Sequence, residues 1–253
     1  MVAEYEDSKL EEPLNILFQD DGLVVINKPS GLLVHRSMID RHETRFALQM
    51  VRDQIGQYVF PVHRLDKPTS GVLMFALSSG IAKVVSEQFQ GGSVNKKYSA
   101  VVRGFTPESG VINHPLKEEL DKIADRKAQK NKPAQEALSE FRCLAKIELP
   151  IMIDRYPQSR YSLVEVTPKT GRKHQIRRHM KHIAHPIIGD AKHGKGIHNR
   201  YFSQHFGANR LLLHCSEIKM KHPVTEEPLL LKAPMDNVFT QLFHRFDWSE
   251  FIQ

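Results

Sequence analysis

Two cysteines, Cys143 and Cys215, are the only thiols in this 253-residue chain. They lie far apart and form neither a disulfide framework nor a CxxC metal pair, so free thiols in a reducing compartment are the simplest account. Long apolar runs are missing as well. None approaches the roughly 18 residues that a spanning helix needs, which excludes a helical membrane protein. The first thirteen residues, Met1 to Pro13, hold five acidic side chains and no apolar stretch, so they do not read as a secretory leader. No internal repeat is visible.

What is present is ordinary globular composition, with 40% apolar and 26% charged residues. The length allows one large domain or two small ones. Lys plus Arg number 36 against 29 Asp plus Glu, a formal charge of +7. That excess suggests an anionic partner, but composition does not choose nucleic acid over an acidic membrane surface.

Residues 1–13 offer little to bury and read as a disordered acidic tail, with order beginning at Leu14. Apolar runs at 14–18 and 23–26, parted by Gln19-Asp20-Asp21-Gly22, predict a strand, a tight turn and a second strand. Helices are expected over 45–55, with Thr44 as a cap, over 81–89, over 172–185 and over 238–246. Strands are expected over 59–62, 72–77, 98–102, 138–147, 161–166, 211–214, 217–220 and 229–232. Segment 117–133 mixes both charge signs, lacks large apolar residues and reads as an exposed insertion. Many short strands with a few helices between them predict an α+β fold around an antiparallel or mixed sheet.

From Thr167 to Gly189 there is no acidic residue, while Lys169, Arg172, Lys173, Arg177, Arg178 and Lys181 are all basic. A solvated helix face ordinarily mixes signs, and cations left uncompensated suit a phosphate partner. An idle basic surface has the same pattern. His174, His179, His182 and His185 raise a metal reading, but HExxH and a supporting carboxylate are absent, so ordinary histidines are expected. A GxSxG elbow is missing too. The turn running from His63 to Gly71 places a single carboxylate, Asp66, between strand ends beside Arg64 and Lys67. Neighbouring cations keep such a carboxylate ionised and nucleophilic; a structural aspartate capping a turn has the same appearance.

His63-Arg64-Leu65-Asp66, followed by Thr69-Ser70-Gly71, resembles the signature of the RluA-type pseudouridine synthases. Asn27-Lys28-Pro29-Ser30-Gly31, Lys97-Tyr98-Ser99-Ala100 and the run from Thr170 to Arg177 agree with it. So do Gly189-Asp190 and Arg210-Leu211-Leu212-Leu213-His214. These stretches span about residues 14–234 in the family's order. Residues 33–37, 51–57, 118–125 and Arg155-Tyr156-Pro157, with Arg160-Tyr161 beyond, resemble most the branch that isomerises uridine 65 of tRNA.

The resemblance implies a mixed, mainly antiparallel sheet with flanking helices and a central cleft. It implies one catalytic domain over 14–253, with no room for the S4-like RNA-binding domain of some relatives. The implied activity turns uridine into its carbon-linked isomer, which needs neither metal nor redox cofactor. Asp66 is then the catalytic carboxylate, with sugar attack, base addition and proton abstraction all open to it. Arg177 pairs with Asp66, Tyr98 lies against the target base and assists proton transfer, and Arg64 fills the gap left by the flipped nucleotide. Leu213 falls in the apolar stretch that walls the uracil. Arg172, Lys173, Arg178 and Lys181 are expected on phosphates. The expected partner is tRNA, not a membrane, and the expected state is a cytoplasmic monomer. Two alternatives remain: a ribosomal RNA synthase, which would share every catalytic residue, and a silent RNA-binding module, which would not need Asp66, Tyr98 and Arg177 together.

Overall fold

The computed structural model describes residues 13–36, 43–119 and 132–252. The expected acidic tail, apart from Pro13, and most of the expected insertion at 117–133 lie outside the described residues.

The chain opens with β1 (Ile16–Gln19) and β2 (Leu23–Lys28). Asp20 closes the turn between them, its carboxylate accepting from the backbone N–H of Gly22 and Leu23 at 2.8 and 2.7 Å. Helix α1 (Ala47–Ile55) begins after Phe46, which makes no side-chain cap bond, so Thr44 is not the cap. Buried Ala47 and Val51 hold this helix to the core, so packing replaces the missing cap. Strands β3 (Phe60–Pro61) and β4 (Ser70–Ala76) follow, then α2 (Ser79–Gln90), capped by the Ser78 hydroxyl.

Next come β5 (Asn95–Arg103), β6 (Ser109–Asn113), β7 (Leu138–Leu149) and β8 (Ser159–Pro168). Helix α3 (Gln175–His182) is much shorter than the predicted 172–185. His174 and Ala184 both take positive φ and end the helical geometry on either side. After α4 (Gly196–Phe206), the two strands predicted over 211–220 form one, β9 (Leu213–Lys221). Then come β10 (Pro228–Lys232), α5 (Asn237–Arg245) and a single 3-10 turn, Ser249–Phe251. Strand β6 and helix α4 carry no clear sequence signal; α4 starts on a glycine and buries only His198 and Phe202.

The ten strands form one mixed sheet in the order β1-β2-β4-β9-β5-β8-β7-β6, with β3 on β4 and β10 on β9. Among the described residues every strand pairing is antiparallel but one: β4 runs parallel to β9, joined at Ser70–His214 and Gly71–Cys215. The α+β, mainly antiparallel expectation holds. The central strands are buried on both faces, and successive residues turn to opposite faces with the pleat. Val101 and Leu163 face a cluster with α4 and α5, while Ala100, Val102, Val164 and Val166 face one with Ile176 and Met180 of α3. A third cluster packs α1 and α2 on β2 and β4.

The short parallel junction joins the two halves of the sheet, and Gly71 makes it possible. Its φ is +112, and an added Cβ would lie 2.1 Å from the Cys215 carbonyl oxygen. Gly71→Ala is therefore expected to lower stability by about 2–4 kcal/mol through backbone strain and overpacking together, measured as a drop in the urea midpoint. An unchanged midpoint would mean that the junction is not tight.

Candidate active site

The loop carrying Asp66 is pinned at each step by groups from elsewhere in the chain. Buried Leu65 anchors it in the core. His63 stacks on Phe89 with ring centroids 4.9 Å apart, and its Nε2 accepts from the Met74 backbone N–H at 3.1 Å. Burial, with Lys96 nearby, pushes this imidazole down to about 3, so it stays neutral and can accept. The Asp66 carbonyl accepts from Thr69 N–H, and the Lys67 carbonyl accepts from Gly31 N–H at 2.9 Å. Ser30 donates its hydroxyl to the Pro68 carbonyl at 2.8 Å.

Lys28 does more. Its side chain is fully buried, and Nζ donates to the carbonyls of Pro29, Leu32 and Lys67 at 2.8, 2.8 and 3.1 Å. Three N–H bonds meet three carbonyls, so the ammonium is matched by dipoles rather than by an acid. Burial, with Arg210 nearby, still lowers its pKa to about 7. At the loop's far end the Ser70 hydroxyl lies 2.8 Å from His214 Nδ1 and accepts from Arg210 at 2.8 Å. His214 Nε2 faces the Ala233 carbonyl at 3.0 Å and must donate there, so Nδ1 accepts from Ser70. Arg210 in turn pairs with Asp236.

Facing Asp66, α3 supplies Arg177, which is 5% exposed. Its Nε and Nη2 donate to the two oxygens of Asp190 at 2.7 and 2.8 Å, a bidentate pair, and Nη1 donates to Asp66 Oδ2 at 3.2 Å. Burial would raise the Asp190 carboxyl, but Arg177 and the backbone N–H groups of His193 and Lys192 outweigh it and hold it low. His174 places Nε2 3.8 Å from Asp66 Oδ2. No hydrogen bond reaches Asp66 Oδ1 among the described residues.

The expected Asp66–Arg177 contact is thus present, and Tyr98 belongs to the same site. It sits on β5 opposite Cys215, which is itself opposite Gly71 at the end of the Asp66 loop. Burial, then the nearby Cys215 and Asp66, keep its phenol well above the ordinary range and therefore protonated. Arg64 is exposed and makes no hydrogen bond or ion pair among the described residues. Leu213 is buried in the cluster that packs against Tyr98. A cavity of about 560 Å³ adjoins the loop at Lys67 and Pro68 and reaches Asn209, Arg210 and Asp236; Asp66 is not part of its lining.

The basic segment differs from its reading as uncompensated. Lys169 pairs with Glu140 at 2.8 Å, and Arg178 lies 3.5 Å from Glu119. Arg178 also donates to the Lys117 carbonyl, Arg172 to that of Glu136 and Lys173 to that of Glu119. The partners come from remote segments, which a local scan for acids does not see. Lys181 alone of the four expected phosphate contacts is exposed with no such partner among the described residues. Asp190, His174 and Lys28 went without a role in the sequence reading. Asp190 had a signal: it is the first acid after the acid-free run.

Glu119, His174 and His193 bring ligand atoms within 4.8 Å of one another. Both Glu119 oxygens are already engaged, by Lys192 and Arg178, and Arg177 stands beside His174. A divalent ion would have to displace these cations, so the cluster fits a metal poorly.

Residues 22–182 match the family described as RNA pseudouridylate synthase. The chain is 55% identical to tRNA pseudouridine synthase C of Vibrio cholerae over 94% of its own length and 97% of that protein's. It is 54% identical to the protein of that name from Vibrio parahaemolyticus, over 94% and 96%. Among solved structures it is similar to human RNA Pseudouridylate Synthase Domain Containing 4, with 27% identity, a TM-score of 0.67 and coverage of 92% and 93%.

Removing the Lys28 ammonium strands buried carbonyls. Lys28→Met is expected to cost about 2–4 kcal/mol at pH 7. Because the folded-state pKa lies below the unfolded value, the unfolded chain binds the extra proton between about pH 7 and 10.5. Wild-type stability relative to Lys28→Met should therefore rise with pH across that window. Denaturant titrations of both proteins at pH 7 and 9 measure it, and a gap that narrows on going alkaline would contradict the assignment.

Proposed function

The chain belongs to the RNA pseudouridylate synthase family, and from that premise we propose that it isomerises uridine to pseudouridine in tRNA, at position 65. The reaction breaks the bond from N1 to the ribose and forms one from C5 to the same carbon. The proton on C5 is lost and N1 gains one, so atoms balance without an external reagent. The observation that carries the reading is the state of Asp66. Arg177 holds one oxygen, while the other meets no partner among the described residues and is available to the nucleotide.

In this reading Asp66 is the reacting carboxylate. Arg177 aims it through the bond from Nη1 to Oδ2. Tyr98 lays its ring against the extruded base and, as a protonated phenol, has a proton to share. Leu213 backs that ring and closes the apolar side of the pocket. Lys181, Lys173, Arg172 and Arg178 neutralise phosphates, the last three after exchanging weak surface partners. The work takes place in the cytoplasm, where tRNA is found, by one copy of the chain.

A uridine in a stem must leave its stack, at a cost of a few kcal/mol. Arg64 is the residue for the vacated space: it neighbours the reacting loop, is exposed and has no internal partner among the described residues to surrender. A guanidinium is flat and stacks on bases.

Two measurements test this reading. Unmodified tRNA carrying uridine 65 is incubated with the enzyme and its pseudouridines are mapped chemically. Wild type should form one at position 65, and Asp66→Asn should form none while still binding tRNA. Product confined to ribosomal RNA would replace the substrate, and turnover by Asp66→Asn would remove the residue from the chemistry. In single-turnover assays Arg64→Ala should slow intact tRNA at least tenfold more than a tRNA mismatched at that pair, the base there being cheaper to extrude. Equal losses on both would assign Arg64 to general binding.

A further inference from the structure

Asp66 has a second neighbour besides Arg177. His174 precedes α3 with φ at +55, a left-handed conformation that histidine adopts more readily than most residues with a Cβ. Its side chain is 16% exposed. Nε2 points at Asp66 Oδ2 from 3.8 Å, and Nδ1 meets His193 Nε2 at 3.0 Å with the rings edge to face at 74°. Glu119 Oε2 stands 4.0 Å from Nδ1.

Burial keeps the His174 ring neutral, opposed only in part by Asp66, with Arg177, His193 and Lys192 also disfavouring its charge. A neutral imidazole carries one N–H and one lone pair. Were the proton on Nδ1, the Nε2 lone pair would face a carboxylate oxygen. With the proton on Nε2, a donor faces that oxygen and Nδ1 accepts from His193 Nε2–H. Electrostatics favours the second arrangement, and His193 is placed to enforce it.

Arg177 Nη1 and His174 Nε2 both aim at the same oxygen, Oδ2. We propose that His174 is a positioning residue for Asp66: Arg177 bonds Oδ2 while the His174 N–H faces the same oxygen from 3.8 Å, which leaves Oδ1 as the reacting oxygen, and His193 fixes the tautomer that does so. This deepens the proposed function and rests on it. The competing explanation is that His174 serves only the left-handed turn, and glycine separates the two. His174→Gly relaxes the backbone and removes the imidazole.

The test uses the full chain in single-turnover assays on unmodified tRNA, with tRNA affinity measured separately. His174→Gly should lower the conversion rate roughly 10- to 100-fold, the scale of a misplaced reacting group, with the Kd for tRNA unchanged. His174→Gln, which can return an N–H to Oδ2, should recover part of that rate, and His193→Ala should lose rate in the same direction. A wild-type rate for His174→Gly would reduce the residue to its turn. A rate loss matched by an equal loss of affinity would make it an RNA contact. Full activity of His193→Ala would end the tautomer argument even if His174→Gly failed to fold. Nitrogen-15 shifts of the His174 ring read the tautomer without any turnover: the proton should sit on Nε2, and finding it on Nδ1 would overturn the proposal. A wild type that makes no pseudouridine would instead fault the proposed function and leave the ring measurement to decide the geometry.

Discussion

Arg177 is buried, and its guanidinium lies between two carboxylates, Asp190 on the inner side and the more exposed Asp66 on the outer. A cation taken out of water loses several kcal/mol of hydration and recovers it only if its partners are well placed. Here the inner partner is fixed first. Backbone N–H groups of Lys192 and His193 donate to Asp190 Oδ1, and Asn199 ties the Asp190 carbonyl and the Gly189 N–H together. Gly189 permits this because a Cβ there would collide with the Arg210 carbonyl. With Asp190 satisfying two guanidinium nitrogens, the third has one direction left, toward Asp66. One cation shared by two carboxylates leaves a net negative charge, and the inner pair is closed off. That charge stays on the carboxylate which is 20% exposed.

This arrangement needs three remote segments to converge, and the sheet order achieves it. The Asp66 loop runs straight into β4, whose parallel step onto β9 sets Gly71 beside Cys215 and Cys215 beside Tyr98. On the other flank β8 leads through Thr170 into α3, and Gln175 fastens the lead-in by bonding Thr170, the Arg172 N–H, the Leu138 carbonyl and Ser139. Polar side chains that look like surface in the sequence therefore set where α3 begins. Buried hydrogen bonds of this kind are directional, which apolar packing is not.

That difference explains what was legible in the chain. Alternation and turn chemistry made most strands readable, and the Asp66 turn stood out as a lone carboxylate flanked by cations. The extent of α3 was not readable, because Ile176, Met180 and Ile183 keep helical spacing through a stretch where His174 and Ala184 take positive φ. Nor was the fate of Lys28, a side chain that composition assigns to the surface and the structure buries among three carbonyls. Asp190 was visible as the first acid after the acid-free run and as part of a resemblance, but its role was not. Its bond to Arg177 depends on a loop geometry that no local pattern encodes.

The basic segment gives the same lesson about charge. Read along the chain, six cations without an acid suggest a face prepared for phosphate. In three dimensions Arg177 is committed to carboxylates, Lys169 and Arg178 have acidic neighbours, and Arg172 and Lys173 lean on carbonyls. These commitments differ in depth. The Arg177 pair with Asp190 is buried and would be costly to open, whereas Lys169, Arg172 and Lys173 lie at the surface, where such contacts are worth about 0–1 kcal/mol, and Arg178 is half-buried. A polyanion offering several phosphates can displace the shallow ones at little cost and cannot reach the deep one. The same run of cations thus divides by burial into a fixed part that builds the site and an exchangeable part that can meet a backbone.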